Sequence, residues 1–351
     1  MKQTLLLLGS LLLGVALTAA QPTHDVFICA VVNKNYVIGS TIVTTNGVFR
    51  LTEAGEWAHV SFNDTTIVSI DWDPRDPNVF YLASLNGCWR TRDGGQTWRI
   101  TTGWDITEPR EVVVDPNAPD HVYLALPDGV AVSRDRGDTW RRREQGLPER
   151  GKYAQTIKVD RTSAGRVLVG CETGIYLTTN GADSWSRVLP TETTVTDLQQ
   201  SPHAPRHWLA VTQSKGAWHS TDGGATWSAL GAVPSEHALY NVAFDATNDQ
   251  RFVIGSWAHG VLTSEDGGKT WQKRNEGLPE SPRVWRVGVH PDTGGLYASV
   301  VAEALYVSDD FGRSWEKAGL ESSQIHAFVF RPRDRAGSTV AARNDAAPLR
   351  R

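Results

Sequence analysis

The chain is predicted to be all-β, a single seven-bladed β-propeller of four-stranded antiparallel blades, on three observations. An eight-residue phrase of the form Ser/Thr-x-Asp-x-Gly-x-Thr/Ser-Trp opens at residues 91, 133, 220, 264 and 308 of the 351, and at 178 with Asn180 and Ala182 in place of the Asp and the Gly. A worn seventh copy is Leu51-Thr-Glu-Ala-Gly-Glu-Trp57. The residues between copies are short apolar runs punctuated by Pro, Gly and Asp, with no helical period after the first twenty positions. A period of this length is the mark of a repeat architecture, and four strands per repeat closed into a ring is a propeller.

Taken in order, residues 1–20 read as a secretory leader: Lys2, an apolar run Leu5–Leu13, then the small residues Thr18-Ala19-Ala20. The run is short for a membrane span, and nothing later is apolar for long enough to be one. The expected product is exported, secreted or periplasmic, with no transmembrane segment in the mature chain. Residues 21–343 are assigned to the propeller and 344–351 to a frayed tail. Net charge is −4, which argues against nucleic acid as a partner. Cys29, Cys88 and Cys171 fall in expected strands. They are read as three buried thiols, with one disulfide as the alternative.

Within a unit, the first strand is an apolar run ending near Asp-Pro, as in Ile67–Pro74, Glu111–Pro116, Thr156–Asp160, Asn241–Asp245 and Trp285–Pro291. Second strands follow at Val79–Ala83, Val122–Ala125, Arg166–Gly170, Trp208–Val211, Phe252–Gly255 and Leu296–Val300. A Gly-led third strand runs into the repeated phrase, and its Trp opens the fourth. The segment from Phe27 to Trp57 aligns with the unit beginning at Ile67, which makes Phe27–Val32 a first strand. Gln324–Phe330 also reads as a first strand and Ser338–Ala342 as a second. Residues 323–331 are therefore expected to help close a seven-bladed ring, the alternative being an incomplete eighth blade.

The repeated phrase reads as the tip of a hairpin. Asp93, Asp135, Asn180, Asp222, Asp266 and Asp310 accept hydrogen bonds from N–H groups ahead of them in the turn, and Gly permits positive φ. Trp98, Trp140, Trp185, Trp227, Trp271 and Trp315 offer large apolar faces to neighbouring sheets. A catalytic site needs one set of groups, not one per repeat, so these carboxylates are read as turn-makers. Arg136-Gly137-Asp138 is likewise read as the filling of a box, not as an integrin ligand.

The phrase resembles the Asp box, or BNR repeat, of sialidases, sortilin-type receptors, two-propeller xyloglucanases and photosystem II assembly factors. The resemblance implies the propeller fold and leaves function open. The Phe-Arg-Ile-Pro motif of sialidases is matched only by Phe49-Arg50-Leu51-Thr52, which lacks Pro and reads as a third strand. The wording of the units, with Gly-Leu-Pro at 146–148 and 277–279, is most similar to xyloglucanase and sortilin-type blades. Those xyloglucanases build their cleft between two propellers, and sortilin-type receptors add Cys-rich modules and a membrane span. The photosystem factors match in length and leader, but their Gly-Trp-Ala-Val-Gly phrase is missing.

Candidate ligand-binding residues lie in loops on the rim opposite the boxes: Trp104, Arg110, Tyr153, Tyr240, Trp257, His259, Arg283 and Trp285. Aromatic rings beside charged groups suit a sugar or a peptide. Lys158 and Arg286 join them from first strands, where Asp71, Glu111, Asp197 and Asn241 also point to a polar channel. Asp71, Glu111 and Asp197 are the only candidates for paired carboxylates of a glycoside hydrolase. No cofactor is expected. His203 and His207 lack partners at zinc spacing, and Asp71, Asp73 and Asp76 are explained by Asp-Pro turns as well as by calcium. The leading expectation is a non-enzymatic exported propeller that binds a protein, peptide or glycan. A xyloglucanase-like hydrolase and a chaperone for a membrane complex are the alternatives.

Overall fold

The computed structural model describes residues 23–32 and 45–333. The leader, the strand expected at Ser338–Ala342 and the tail lie outside them. Seven four-stranded antiparallel sheets make up the described chain, with no helix. Their innermost strands are Ser69–Trp72, Glu111–Val114, Ala154–Val159, Val195–Gln200, Leu239–Phe244, Val284–Val289 and Ser323–Pro332. Each touches the next around the circle, and Ser323–Pro332 returns to Ser69–Trp72. The ring is closed, so no sheet is left to end a solenoid.

Closure corrects one expectation. Phe27–Val32 is not a first strand. The strand His24–Val32 is second in its sheet, lying between Ser323–Pro332 and Gly47–Leu51. The innermost strand of this blade comes from the far end of the chain, so Gln324–Phe330 completes the first blade and opens no eighth among the described residues. The alignment misled because second strands are as apolar as first ones; the Asp-Pro that marks a first strand is absent after Val32. Asp292 latches the seam: it accepts from the backbone N–H of Thr23 (2.7 Å) and of His24 (3.0 Å), and from the Thr23 hydroxyl.

Second strands are buried on both faces, as in Val122–Leu126 and Val167–Cys171, because each sheet is packed between two others. Core clusters accordingly bridge neighbouring sheets, with Trp185 joining Val130 and Val132 of the preceding blade. The three cysteines are free and buried, and burial pushes the Cys88 and Cys171 thiols up to about 12.

The boxes are self-contained turns. Asp93 accepts from the Thr97 N–H (2.9 Å), the Thr97 hydroxyl (2.6 Å) and the Thr91 hydroxyl (2.8 Å), and Thr91 in turn accepts from Gly95 N–H (2.9 Å). Asn180 makes the same turn with Thr178 and Ser184. The Arg-Gly-Asp triplet is engaged: Arg136 pairs with Asp73 at 2.9 Å, and Asp138 with Arg90 at 2.8 Å and Arg92 at 3.0 Å. Phe49-Arg50 sits in the third strand Gly47–Leu51.

Candidate functional site

Antiparallel order puts the boxes and the Asp-Pro turns on one face. The other face carries the loops between second and third strands and those entering each first strand. The channel runs between them.

Side chains at alternate positions of the innermost strands line the channel. One tier, by register with the second strands, holds Ser69, Glu111, Thr156, Asp197, Asn241 and Arg286; the next holds Asp71, Val113, Lys158 and Gln199. Asp71, Glu111, Lys158, Asp197, Asn241 and Arg286 thus line one polar cavity of about 280 Å³, together with Arg110.

An innermost strand presents unpaired backbone groups to the channel, and these need partners. The preceding blade supplies them. Asp71 accepts from Val114 N–H (2.7 Å), Glu111 from Ile157 N–H (2.7 Å), Asp197 from Val242 N–H (3.1 Å) and Asn241 from Val287 N–H (2.6 Å). The candidate carboxylates are therefore staples between blades. Glu111 also accepts from Lys158 and from the Thr156 hydroxyl (2.9 Å).

The channel charges are coupled. Burial pushes the Asp71 carboxyl up to about 6 against its hydrogen bonds to Val114 and Trp72. Burial likewise raises Asp197, with Lys158 opposing. Burial works to lower Lys158, but Glu111 and Asp197 outweigh it and the ammonium is held above its usual value. Burial, reinforced by Arg286 and Arg110, pulls His326 down to about 4.

Above the tiers, a β-bulge recurs in the innermost strands. The register slips past Gln155, Thr196, Tyr240 and Trp285, and past His326 where the closing strand meets Cys29 and Ala30. Each slip leaves one residue unpaired and re-aims it at the channel mouth. Gln155, Thr196 and His326 line the cavity. They were not among the residues singled out from sequence, although counting back from each Asp-Pro would have aligned them with Tyr240 and Trp285.

Tyr240 and Trp285 begin an aromatic stack. Their rings lie 4.4 Å apart, and Trp257 packs on Tyr240 at 5.7 Å. The Arg283 guanidinium covers Trp257 at 5.3 Å, and that of Arg286 covers Trp285 at 5.0 Å. Arg286 also donates to His326 O at 2.8 Å, which ties the stack to the channel. Trp257 remains 37% exposed. His259 stands beside it in the same loop, its ring 5.5 Å from that of His237. Arg110 lies 6.0 Å from the Tyr153 ring, a separate pair. Trp104 is 98% exposed on a braced turn, where Ile106 N–H bonds Gly103 O at 3.1 Å and Arg142 holds Asp105 O at 2.6 Å.

No cluster of three or more His, Cys, Asp or Glu is arranged to hold a metal among the described residues. His203 bonds Asp245 O at 2.8 Å, while His207 packs on Phe244 and Phe252. Asp73 is occupied by Arg75 and Arg136.

Residues 215–342 match the family model described as sortilin, neurotensin receptor 3. No curated protein matches the chain in sequence. Among solved structures, a GH74 xyloglucanase from Xanthomonas campestris is similar at a TM-score of 0.64 and 17% identity, covering 78% of this chain and 51% of that one. The chain thus spans about half that enzyme's length. YCF48 bound to D1 peptide is similar at 0.55 and 22% identity, covering 72% of this chain and 81% of that one. YCF48 from Cyanidioschyzon merolae gives 0.58 at 17% identity, covering 76% and 89%. Ring, boxes and likenesses together make this chain a seven-bladed β-propeller of the Asp-box type.

Proposed function

We propose that the protein is an exported, non-enzymatic binding propeller that recognises a protein, peptide or glycan through the face opposite the boxes. The observation that carries this reading is the aromatic–arginine stack from Arg283 and Trp257 through Tyr240 to Trp285 and Arg286, continuous with the bulge residues of the channel mouth. It offers preorganised apolar surface, two guanidiniums and a polar floor, the combination found at binding hot spots. The likeness to YCF48 caught with a peptide favours the peptide arm.

The test is a screen of the purified protein against peptide and glycan arrays. A hit should lose more than about tenfold in affinity in Trp257→Ala and Arg283→Ala, with the fold intact. A hit indifferent to both substitutions refutes the assignment of this face.

Hydrolysis is favoured by one observation only: burial raises the Asp71 carboxyl to about 6, the direction in which a general acid is tuned. Against it, Asp71, Glu111 and Asp197 are each spent on a neighbouring backbone N–H. Turnover of xyloglucan that disappears in Asp71→Asn or Asp197→Asn would replace the binding reading.

A further inference from the structure

The polar cavity of the channel holds charges of both signs, and they are not all paired with one another. Arg110, Lys158 and Arg286 line it, and so do Asp71, Glu111 and Asp197. Lys158 and Glu111 cancel as an ion pair, the only one inside the cavity among the described residues. Asp197 is spent: its oxygens accept from Leu198 N–H (2.9 Å), Val242 N–H (3.1 Å) and the Gln199 amide (3.3 Å). Lys158 and Arg286 act on it only at longer range. His326, pulled down to about 4, is neutral at pH 7.

Two guanidiniums and one carboxylate remain open. Among the described residues Arg110 makes no side-chain hydrogen bond; its Nε is buried without a partner, and the guanidinium lies 6.0 Å from the Tyr153 ring. Arg286 donates through Nε and Nη1 to carbonyls of the mouth, His326 O, Tyr240 O and Trp285 O, which leaves Nη2 unbonded. Asp71 accepts one hydrogen bond on each oxygen, from Trp72 N–H (2.9 Å) and Val114 N–H (2.7 Å), and a carboxylate oxygen has room for two. These open groups are separated along the channel axis. Arg110 stands one residue above the upper tier and Arg286 reaches up from it, whereas Asp71 belongs to the tier below. At about 3.3 Å per residue, Arg110 and Asp71 start roughly 10 Å apart along the strands.

Three cations face three carboxylates, so neither an anion nor a cation alone is favoured. The open groups favour a molecule that carries both charges, cationic end down. The volume of about 280 Å³ lies near the lower end of small-molecule sites. We infer that this cavity is a binding site for a small extended zwitterion of the ω-amino acid class, whose carboxylate meets Arg110 and Arg286 and whose ammonium reaches down to Asp71. An α-amino acid carries both charges on one carbon and is too short for both contacts. The site does not draw on Trp257 or Arg283, so it stands or falls separately from the binding reading above.

Calorimetric titration of the protein with 6-aminohexanoate at pH 8, where the Asp71 carboxyl is ionised, tests this. Hexanoate and hexylammonium are the single-charge controls, and glycine is the short zwitterion. 6-Aminohexanoate should bind one-to-one, and each of the three others at least about tenfold more weakly, the value of one charge-assisted contact. Arg110→Gln should weaken 6-aminohexanoate by a similar factor and leave hexylammonium unchanged. Asp71→Asn, which keeps an acceptor for Val114 N–H, should weaken 6-aminohexanoate and hexylammonium and leave hexanoate unchanged. Circular dichroism checks the fold of both; if Asp71→Asn loses it, Arg110→Gln decides, since it removes no described hydrogen bond. Trp257→Ala should have no effect. Absence of saturable 6-aminohexanoate binding, equal affinity for any of the three others, or indifference to Arg110→Gln overturns the proposal.

Discussion

Gly95 and Asp71 show what single residues decide. In the first full box, Gly94 and Gly95 have φ of 70° and 94°. A Cβ on Gly95 would sit 2.8 Å from Val60 O, a backbone atom that cannot step aside. Gly95→Ala is therefore expected to cost about 1–2 kcal/mol or more. Gly231→Ala, whose Cβ would meet nothing within 4 Å, is the matched control and should be near neutral; thermal unfolding separates the two. At Asp71 burial raises the folded-state pKa to about 6, from about 3.9 for an Asp exposed to water. Below the lower value both states carry the proton. Between the two, only the folded state keeps it, so this residue's contribution to stability falls as pH rises through that window. Asp71→Asn should remove its share of the slope, read as a shallower change in urea midpoint between pH 4 and 6.

At the scale of elements, the innermost strands depend on one another through side chains more than through sheet pairing. Asn241 both accepts from Val287 N–H (2.6 Å) and donates to Val287 O (3.1 Å). Asn241→Ala orphans both groups beside the channel and is expected to cost about 1–3 kcal/mol. Amide exchange should show the loss first at Val287, before the global transition moves. The indoles of three boxes are a second set of blade-to-blade devices. Where both left-handed positions are Gly, the indole bonds its own turn, as Trp98 to Gly95 O and Trp227 to Gly224 O. Where one of them is Arg136, Ala182 or Phe311, the indole reaches the preceding blade, at Thr101, Arg143 O or Arg274 O.

For the molecule as a whole, stability rests on closing the circle. The strand Ser323–Pro332 pairs with His24–Val32 along its full length, and Asp25 holds Arg333 at 2.8 Å. Removing residues 323–351 takes the innermost strand from one blade, bares the edge of His24–Val32 and uncovers the strands Val284–Val289 and Ser69–Trp72 that pack on the removed strand. The truncated chain is expected to lose its single cooperative transition and to bind a hydrophobic dye that the intact chain excludes. An unchanged melting curve would show that the ring does not need its seam.

The repeat was legible because each hairpin tip carries its own local chemistry: an Asp or Asn, a left-handed Gly and a Trp suffice to fix the turn wherever it occurs. Periodicity then gave the blades, their strand order and the face on which Trp257, Arg283 and Trp285 lie, and the polar alternation gave the channel residues from Asp71 to Arg286. Which strand closes the ring was set by a pairing between residues three hundred positions apart, where local pattern has no reach. The bulges that aim Gln155, Thr196 and His326 at the mouth arise from a register slip against the second strand, invisible in either strand alone. The staple role of Asp71, Glu111, Asp197 and Asn241 likewise exists only between blades. What a turn needs is local and was written in the sequence; what a channel does depends on which edges the closed ring brings together, and only the tertiary structure decided that.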